Sequence, residues 1–113
     1  MTEKLKLNKE FRRAYNRGKS FVSPPIVIYL FKKKYGGVKF GITVSKKLGG
    51  AVQRNRAKRL IRAAFSDCAP FILGDCDIVI VARSAIFKYK SYNLASTLKS
   101  FLISEQMWQE NDA

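Results

Sequence analysis

Arg54, Asn55, Arg56, Lys58, Arg59 and Arg62 crowd into nine consecutive positions, and no acid lies between Glu10 and Asp67. Cations at that density bind phosphates through charge-assisted hydrogen bonds, and the Asn55 amide between two arginines can add a contact to phosphate, base edge or hydrated metal. On a helix Arg54, Lys58 and Arg62 stack at i, i+4, where like charges cost a few tenths of a kcal/mol per pair. Folding alone gives no reason for that arrangement; a polyanion does. The same stretch places Ala57, Leu60, Ile61, Ala64 and Phe65 at i, i+3, i+4, i+7 and i+8, one apolar stripe that predicts an amphipathic helix over about 51–65 docked on a core. Lys46 and Lys47, just before the Gly49-Gly50 bend, either extend the phosphate contacts or guard a strand end from edge pairing. The cations around them favour phosphate.

A second set lies upstream. Phe11 and Tyr15 sit at i, i+4 beside Arg12, Arg13 and Arg17. Rings at this spacing commonly face a core, but rings interleaved with cations also hold single strands, the rings stacking on bases while the cations track the backbone. Tyr29, in a run apolar on both faces, admits the same two readings.

Chemistry carried by the chain itself has little support. There is no histidine, so Ser45 and Ser84 lack the commonest activating base. Asp75 and Asp77 are the only close pair of acids, too few for a two-metal nuclease, and are expected to cap a loop and the start of a strand. Cys68 and Cys76 fit neither redox nor zinc-ligand spacing and are expected as free thiols near the surface of a loop. No catalytic and no metal-binding residue is therefore assigned.

The chain has 113 residues, with 22 Lys and Arg against 8 Asp and Glu, a formal charge of +14. That length predicts one domain, 1–113, with a single core. The charge points to nucleic acid before a membrane surface, because the basic helix has no Trp or long Leu/Phe face to insert among headgroups. The aliphatic runs around Ile26 and Ile78 are too short to span a bilayer and the first ten residues have no signal-like apolar core, so a cytoplasmic location is expected.

The elements that must position these residues follow from periodicity and punctuation. Asn8 is expected to cap a helix ending at Arg17, with Gly18 as its stop. A short strand over 19–22 precedes a two-faced apolar strand over 26–31, expected to be central in its sheet. The Gly-Gly turn before the alternating strand from Val38 to Val44 predicts a hairpin between these two. After the basic helix come a strand over 77–82 and a helix capped by Ser91 with Leu94, Leu98, Phe101 and Leu102 buried, then a loose tail past Trp108. This is an α+β fold, an αβββαβα sandwich on a mixed four-stranded sheet.

The string Lys46-Lys47, Gly49, Ala51-Val52, Arg54-Asn55-Arg56, Lys58-Arg59 and Arg62, in order and without a gap, resembles the signature of one family, the protein subunit of bacterial ribonuclease P. The flanks agree: aromatics on the first helix, a strand with Tyr29, the F-G-I-T-V-S-K-K strand end and an I-V-I-V-A-R strand ending at Arg83. The resemblance spans roughly residues 5 to 104. It departs at Tyr15, where the family commonly has a second Phe; the ring is kept and a hydroxyl added.

The resemblance implies that the strand, basic helix, strand crossover is left-handed, against the general rule, as in a domain of a ribosomal protein. It also implies a division of labour in which a large RNA subunit with bound Mg²⁺ removes the 5′ leader from precursor tRNA. This chain would bind that RNA through Lys46, Lys47 and the cations from Arg54 to Arg62. It would hold the leader in a cleft between the first helix, the basic helix and the sheet, contacted by Phe11, Arg12, Tyr15, Tyr29, Thr43 and Arg83. The implied partners are the catalytic RNA and the leader, with no membrane, no obligatory protein partner and no cofactor on the chain alone. A structural RNA binder, such as a ribosomal protein, would share the basic strip but has no need of an aromatic cleft.

Overall fold

The computed structural model describes residues 3–109. Its strands are β1 (Glu3–Lys4), β2 (Lys19–Val22), β3 (Ile26–Lys33), β4 (Val38–Thr43) and β5 (Asp75–Ala82), and its helices are α1 (Asn8–Arg17), α2 (Ala51–Cys68) and α3 (Ser91–Ser104). The sheet runs in the order β1-β4-β5-β3-β2. β5 is antiparallel to β3 and parallel to β4, so the β4–α2–β5 crossover joins parallel neighbours.

Two expectations change here. β3 and β4 are not a hairpin, because β5 lies between them; β5 takes the centre because residues from Cys76 to Ile80 are buried whichever face they point to. A fifth strand is also present: two residues of β1 pair in parallel with Lys39 and Phe40, too short a stretch to leave a periodic signal.

The side chains of β5 divide the core in two. Ile78 and Ile80 face α2 and α3, where Ile28 and Leu30 of β3 meet the apolar stripe of α2 and Leu94, Leu98 and Leu102 of α3. In that layer the Phe40 and Phe65 rings stack at 3.9 Å. Val79 faces the other way, into a smaller cluster with Leu5, Ala14, Phe11, Tyr15, Tyr29, Phe31 and Val81 under α1.

The helix starts also differ from expectation. Leu7, not Asn8, stands at the N-cap of α1, and Glu10 Oε1 accepts from the Leu7 and Lys6 N–H groups at 3.3 and 3.4 Å. Lys90 precedes α3, where Asn93 Oδ1 accepts from its N–H at 2.9 Å. Past α3 the chain returns against the segment before β5, with the Leu73 N–H donating to the Met107 carbonyl at 2.8 Å and the Gln109 N–H to that of Phe71 at 2.7 Å. The rest of the expected loose tail, residues 110–113, lies outside the described residues. No described helix is long and apolar enough to cross a membrane.

Asp75 does cap the turn before β4, its Oδ1 accepting from the Gly37 N–H at 2.9 Å. Asp77 has another role. It is fully buried on the outer face of β5, with Arg13 Nη2 donating to Oδ2 at 2.7 Å and Lys33 Nζ ion-paired to Oδ1 at 2.7 Å. Arg13 also lies 4.5 Å from the Phe31 ring centroid.

The cysteines are free, but neither is at the surface nor in a loop: Cys68 ends α2 and Cys76 lies in β5, both buried. Burial pushes the Cys68 thiol up to about 11 and the Cys76 thiol up to about 12, from an ordinary value of 9.0.

Asp77→Ala, which strands Arg13 and Lys33 against the sheet, should cost about 3–5 kcal/mol in urea unfolding; a loss below about 1 kcal/mol would mean that water already screens the three charges. The thiols should resist alkylation at about pH 8 in the native protein and react in denaturant. Because their folded pKa values are raised, their contribution to stability is whole below about 9 and is lost as pH climbs through 11 to 12. Native-state labelling as fast as that of the unfolded chain would contradict this.

Candidate nucleic-acid interface

Strand register builds the site from below. On the outer face of the sheet it aligns Lys39, Asp77 and Phe31 in one row, Gly41, Val79 and Tyr29 in the next, and Thr43, Val81 and Val27 in the third. α1 lies on these rows with Ala14 fully buried and Phe11 and Tyr15 half-buried. The Phe11 ring rests on Gly41 so closely that a Cβ there would stand 2.7 Å from two of its carbons. Glycine in this strand is therefore a packing requirement. Tyr15 meets Tyr29 edge-on with centroids 4.9 Å apart, and its hydroxyl shares a hydrogen bond with the Thr43 hydroxyl at 2.7 Å.

β1 stops early, and the site occupies the edge it leaves. Because β1 pairs only with Lys39 and Phe40, no described strand covers the outer edge of β4, the one away from β5, from Gly41 onward. A cavity of about 630 Å³ opens there, lined by Phe11, Arg12 and Tyr15 of α1, by Ile42, Thr43 and Val44, and by Lys58 of α2. A second, of about 290 Å³, adjoins it across the Phe11 ring and is lined also by Phe40, Lys58 and Arg62. Both rings thus pack on the sheet with one side and front a cavity with the other.

Four of the six expected cleft residues, Phe11, Arg12, Tyr15 and Thr43, are brought together. Tyr29 stands behind Tyr15 rather than in the cavity lining. Arg83 lies beyond the third row and is exposed, its Nη1 donating to the Ser23 carbonyl at 2.8 Å.

The cations of α2 do not share one face. At about 100° per residue, Lys58 and Arg62 turn toward the cleft and Arg56 turns away from it, its guanidinium 5.9 Å from the Phe87 ring centroid. Asn55 and Arg59 point outward. Arg54 is half-buried, with no hydrogen-bond partner for its Nε among the described residues. Sequence reasoning placed Lys58 and Arg62 with the outer strip; helical angle was the signal that separates them. Lys46 and Lys47 are exposed in a single turn of 3-10 helix (Lys46–Leu48), where Ser45 Oγ accepts from the Lys47 N–H at 3.1 Å. Gly49, at φ 133°, makes the bend that leads into α2, a conformation that favours glycine.

Every ion pair among the described residues involves Arg13, Lys32, Lys33 or Lys39, and none involves a cation of α2. Glu10 sits 3.1 Å from Lys39 Nζ. Partial burial pushes its carboxyl up, but Lys39 and the Leu7 and Lys6 N–H groups outweigh that and hold it below its ordinary value; the same contact raises Lys39. The cleft and the exposed side of α2 are left with cations and no paired acid.

Known proteins share this sequence and this fold. The ribonuclease P family model matches residues 1–105. The ribonuclease P protein component of Clostridioides difficile is 43% identical over 83 residues, 73% of this chain and 73% of the relative. That of Shouchella clausii is 39% identical over 83 residues, 73% of this chain and 68% of the relative. The solved structure of the Staphylococcus aureus RNase P protein superposes with a TM-score of 0.78 at 33% identity, covering 94% of this chain and 97% of that one. With its sequence and its fold both shared with these proteins, the chain belongs to the ribonuclease P protein family, the accessory subunits of a tRNA-processing endoribonuclease.

Proposed function

We infer that the cavity between α1, the open end of β4 and α2 holds the single-stranded 5′ leader of precursor tRNA, while Lys46, Lys47 and the outward cations of α2 hold the catalytic RNA. The observation that carries this is the pair of half-buried rings, Phe11 and Tyr15, fronting an acid-free cavity flanked by Arg12 and Lys58. Rings supply stacking without demanding a sequence, and cations follow the phosphates. Thr43 orients Tyr15 through their shared hydrogen bond, Tyr29 backs the ring, and Arg83 marks the far end of the same sheet face.

Among the described residues no group of three or more His, Cys, Asp or Glu could hold a metal ion. On this reading, which rests on the family resemblance, Mg²⁺ sits with the phosphates of the RNA subunit, and the protein's part is to bind, orient and neutralise. The 113 residues act as one RNA-binding domain. Partners made of RNA and buried free thiols suit a cytoplasmic location.

Phe11→Ala should weaken binding of precursor tRNA to the assembled complex about 5- to 150-fold, the equivalent of about 1–3 kcal/mol of stacking, and leave mature tRNA nearly unchanged. Tyr15→Phe keeps the ring, so it should retain the preference for precursor. Equal losses toward both RNAs, with a several-degree drop in melting temperature, would return these rings to a purely structural role. For the outer strip, Arg56→Ala and Arg59→Ala should each reduce the slope of log affinity against log salt for the catalytic RNA by up to about one unit. An unchanged slope in folded variants would make the strip a solvated surface.

A further inference from the structure

A second stretch without acids runs from Asp77 to Glu105, and within it Phe87, Lys88, Tyr89, Lys90 and Tyr92 interleave rings with cations. Neither the cleft nor the cations of α2 account for this segment. The structure lays it along α2. Near its start Phe87 lies under the Arg56 guanidinium at 5.9 Å. Just past its end the Cys68 thiol donates to the Ala95 carbonyl at 3.5 Å, and Tyr92 shares a cavity of about 380 Å³ with Asp67 and Trp108.

The exposure pattern separates anchors from free groups. Phe87 and Tyr89 are half-buried and fix the backbone, whereas Lys88 and Lys90 are exposed and form no ion pair among the described residues. The Tyr92 ring is 68% exposed. Folding does not explain these choices. Lys90 stands at the N-cap of α3, where the helix dipole disfavours a cation, and the first turn has no acid to offset it. An exposed ring two residues past such a cation contributes little to the core, yet rings alternating with cations suit an unpaired strand of RNA. Contact with Arg56 makes the surface continuous with the strip already assigned to RNA, which favours that partner over an acidic protein.

We propose that segment 87–92 is a second RNA-contact surface, in which Lys88 and Lys90 take phosphates of the RNA held by α2 and Tyr92 stacks an unpaired base. This rests on the reading of α2 as the catalytic-RNA strip. The test is binding of the full-length protein to an in vitro transcript of a bacterial ribonuclease P RNA across a salt series. The double variant Lys88→Ala/Lys90→Ala should bind more weakly, with the salt slope reduced by up to about two units. Tyr92→Ala should bind about 5-fold or more weakly with the slope preserved. Lys88→Arg/Lys90→Arg should restore binding, and melting curves should match throughout. Unchanged affinity and slope in the Lys-to-Ala variant, alongside clear losses in Arg56→Ala and Arg59→Ala, would overturn this surface alone. No loss in any of these variants would overturn the reading of α2 as well. A loss in Lys-to-Ala that Arg does not rescue, with a lowered melting temperature, would show a structural role and reject the proposal.

Discussion

The carboxylate of Asp77 is the one fully buried charge among the described residues, and the geometry of the cleft hangs on it. It lies in the first row of the outer face, beside Lys39 and Phe31, and faces α1. An ion there is tolerable only with close counter-charges, which Arg13 and Lys33 supply. Arg13 comes from α1, so satisfying the buried charge fixes the helix against the sheet. Two residues before it Phe11 falls over Gly41, and two residues after it Tyr15 falls between Tyr29 and Thr43. An apolar residue in place of Asp77 could pack, but would leave α1 free to slide along Val79 and Val81.

The same economy of acids sorts the charge of the whole molecule. Glu10, Asp77 and Glu105 neutralise Lys39, Arg13, Lys33 and Lys32, all around the far flank of α1 and the ends of β3 and β4. Among the described residues the cations of α2, of the turn before it and of segment 87–92, and Arg12 beside the cleft, form no ion pair. α1 is therefore a divider, with ion-paired chemistry on one flank and unpaired cations facing a cavity on the other. Surface charges of one sign within a Debye length repel, and they favour a polyanion that approaches from that side.

How much of this was legible in the sequence depends on the range over which each signal acts. The stripe of α2 was legible because 3.6-residue periodicity is local, and four of its five residues are buried as the spacing implies. The Gly36-Gly37 turn announced a reversal of the chain correctly, but a turn says nothing about whether its strands touch. β5, some forty residues on, enters between them because its apolar side chains on both faces need neighbours on both sides. Asp77 carries a signal of its own: a charge in phase with Val79 and Val81 on an otherwise apolar strand must be paired. Its partners, 64 and 44 residues distant, were not legible. Gly41 is the converse case, since a glycine within a strand predicts close approach without naming the ring that approaches.

The open edge of β4 costs the fold something that RNA, bound as proposed, would return. An uncovered strand edge is a site for pairing with another chain, and a formal charge of +14 opposes compaction by self-repulsion. The molecule guards the edge with the cations Arg12 and Lys58 rather than with a longer β1, which deters another basic chain while leaving an acidic backbone welcome. A ligand that binds only the folded state stabilises it in proportion to the logarithm of its concentration over its dissociation constant. Neutralising phosphates on α2 and in the cleft would thus relieve the repulsion that the isolated chain must carry. On the proposed reading, stability and function are coupled through the same unpaired cations, and substitutions there that remove charge should relax the free protein even as they loosen its hold on RNA.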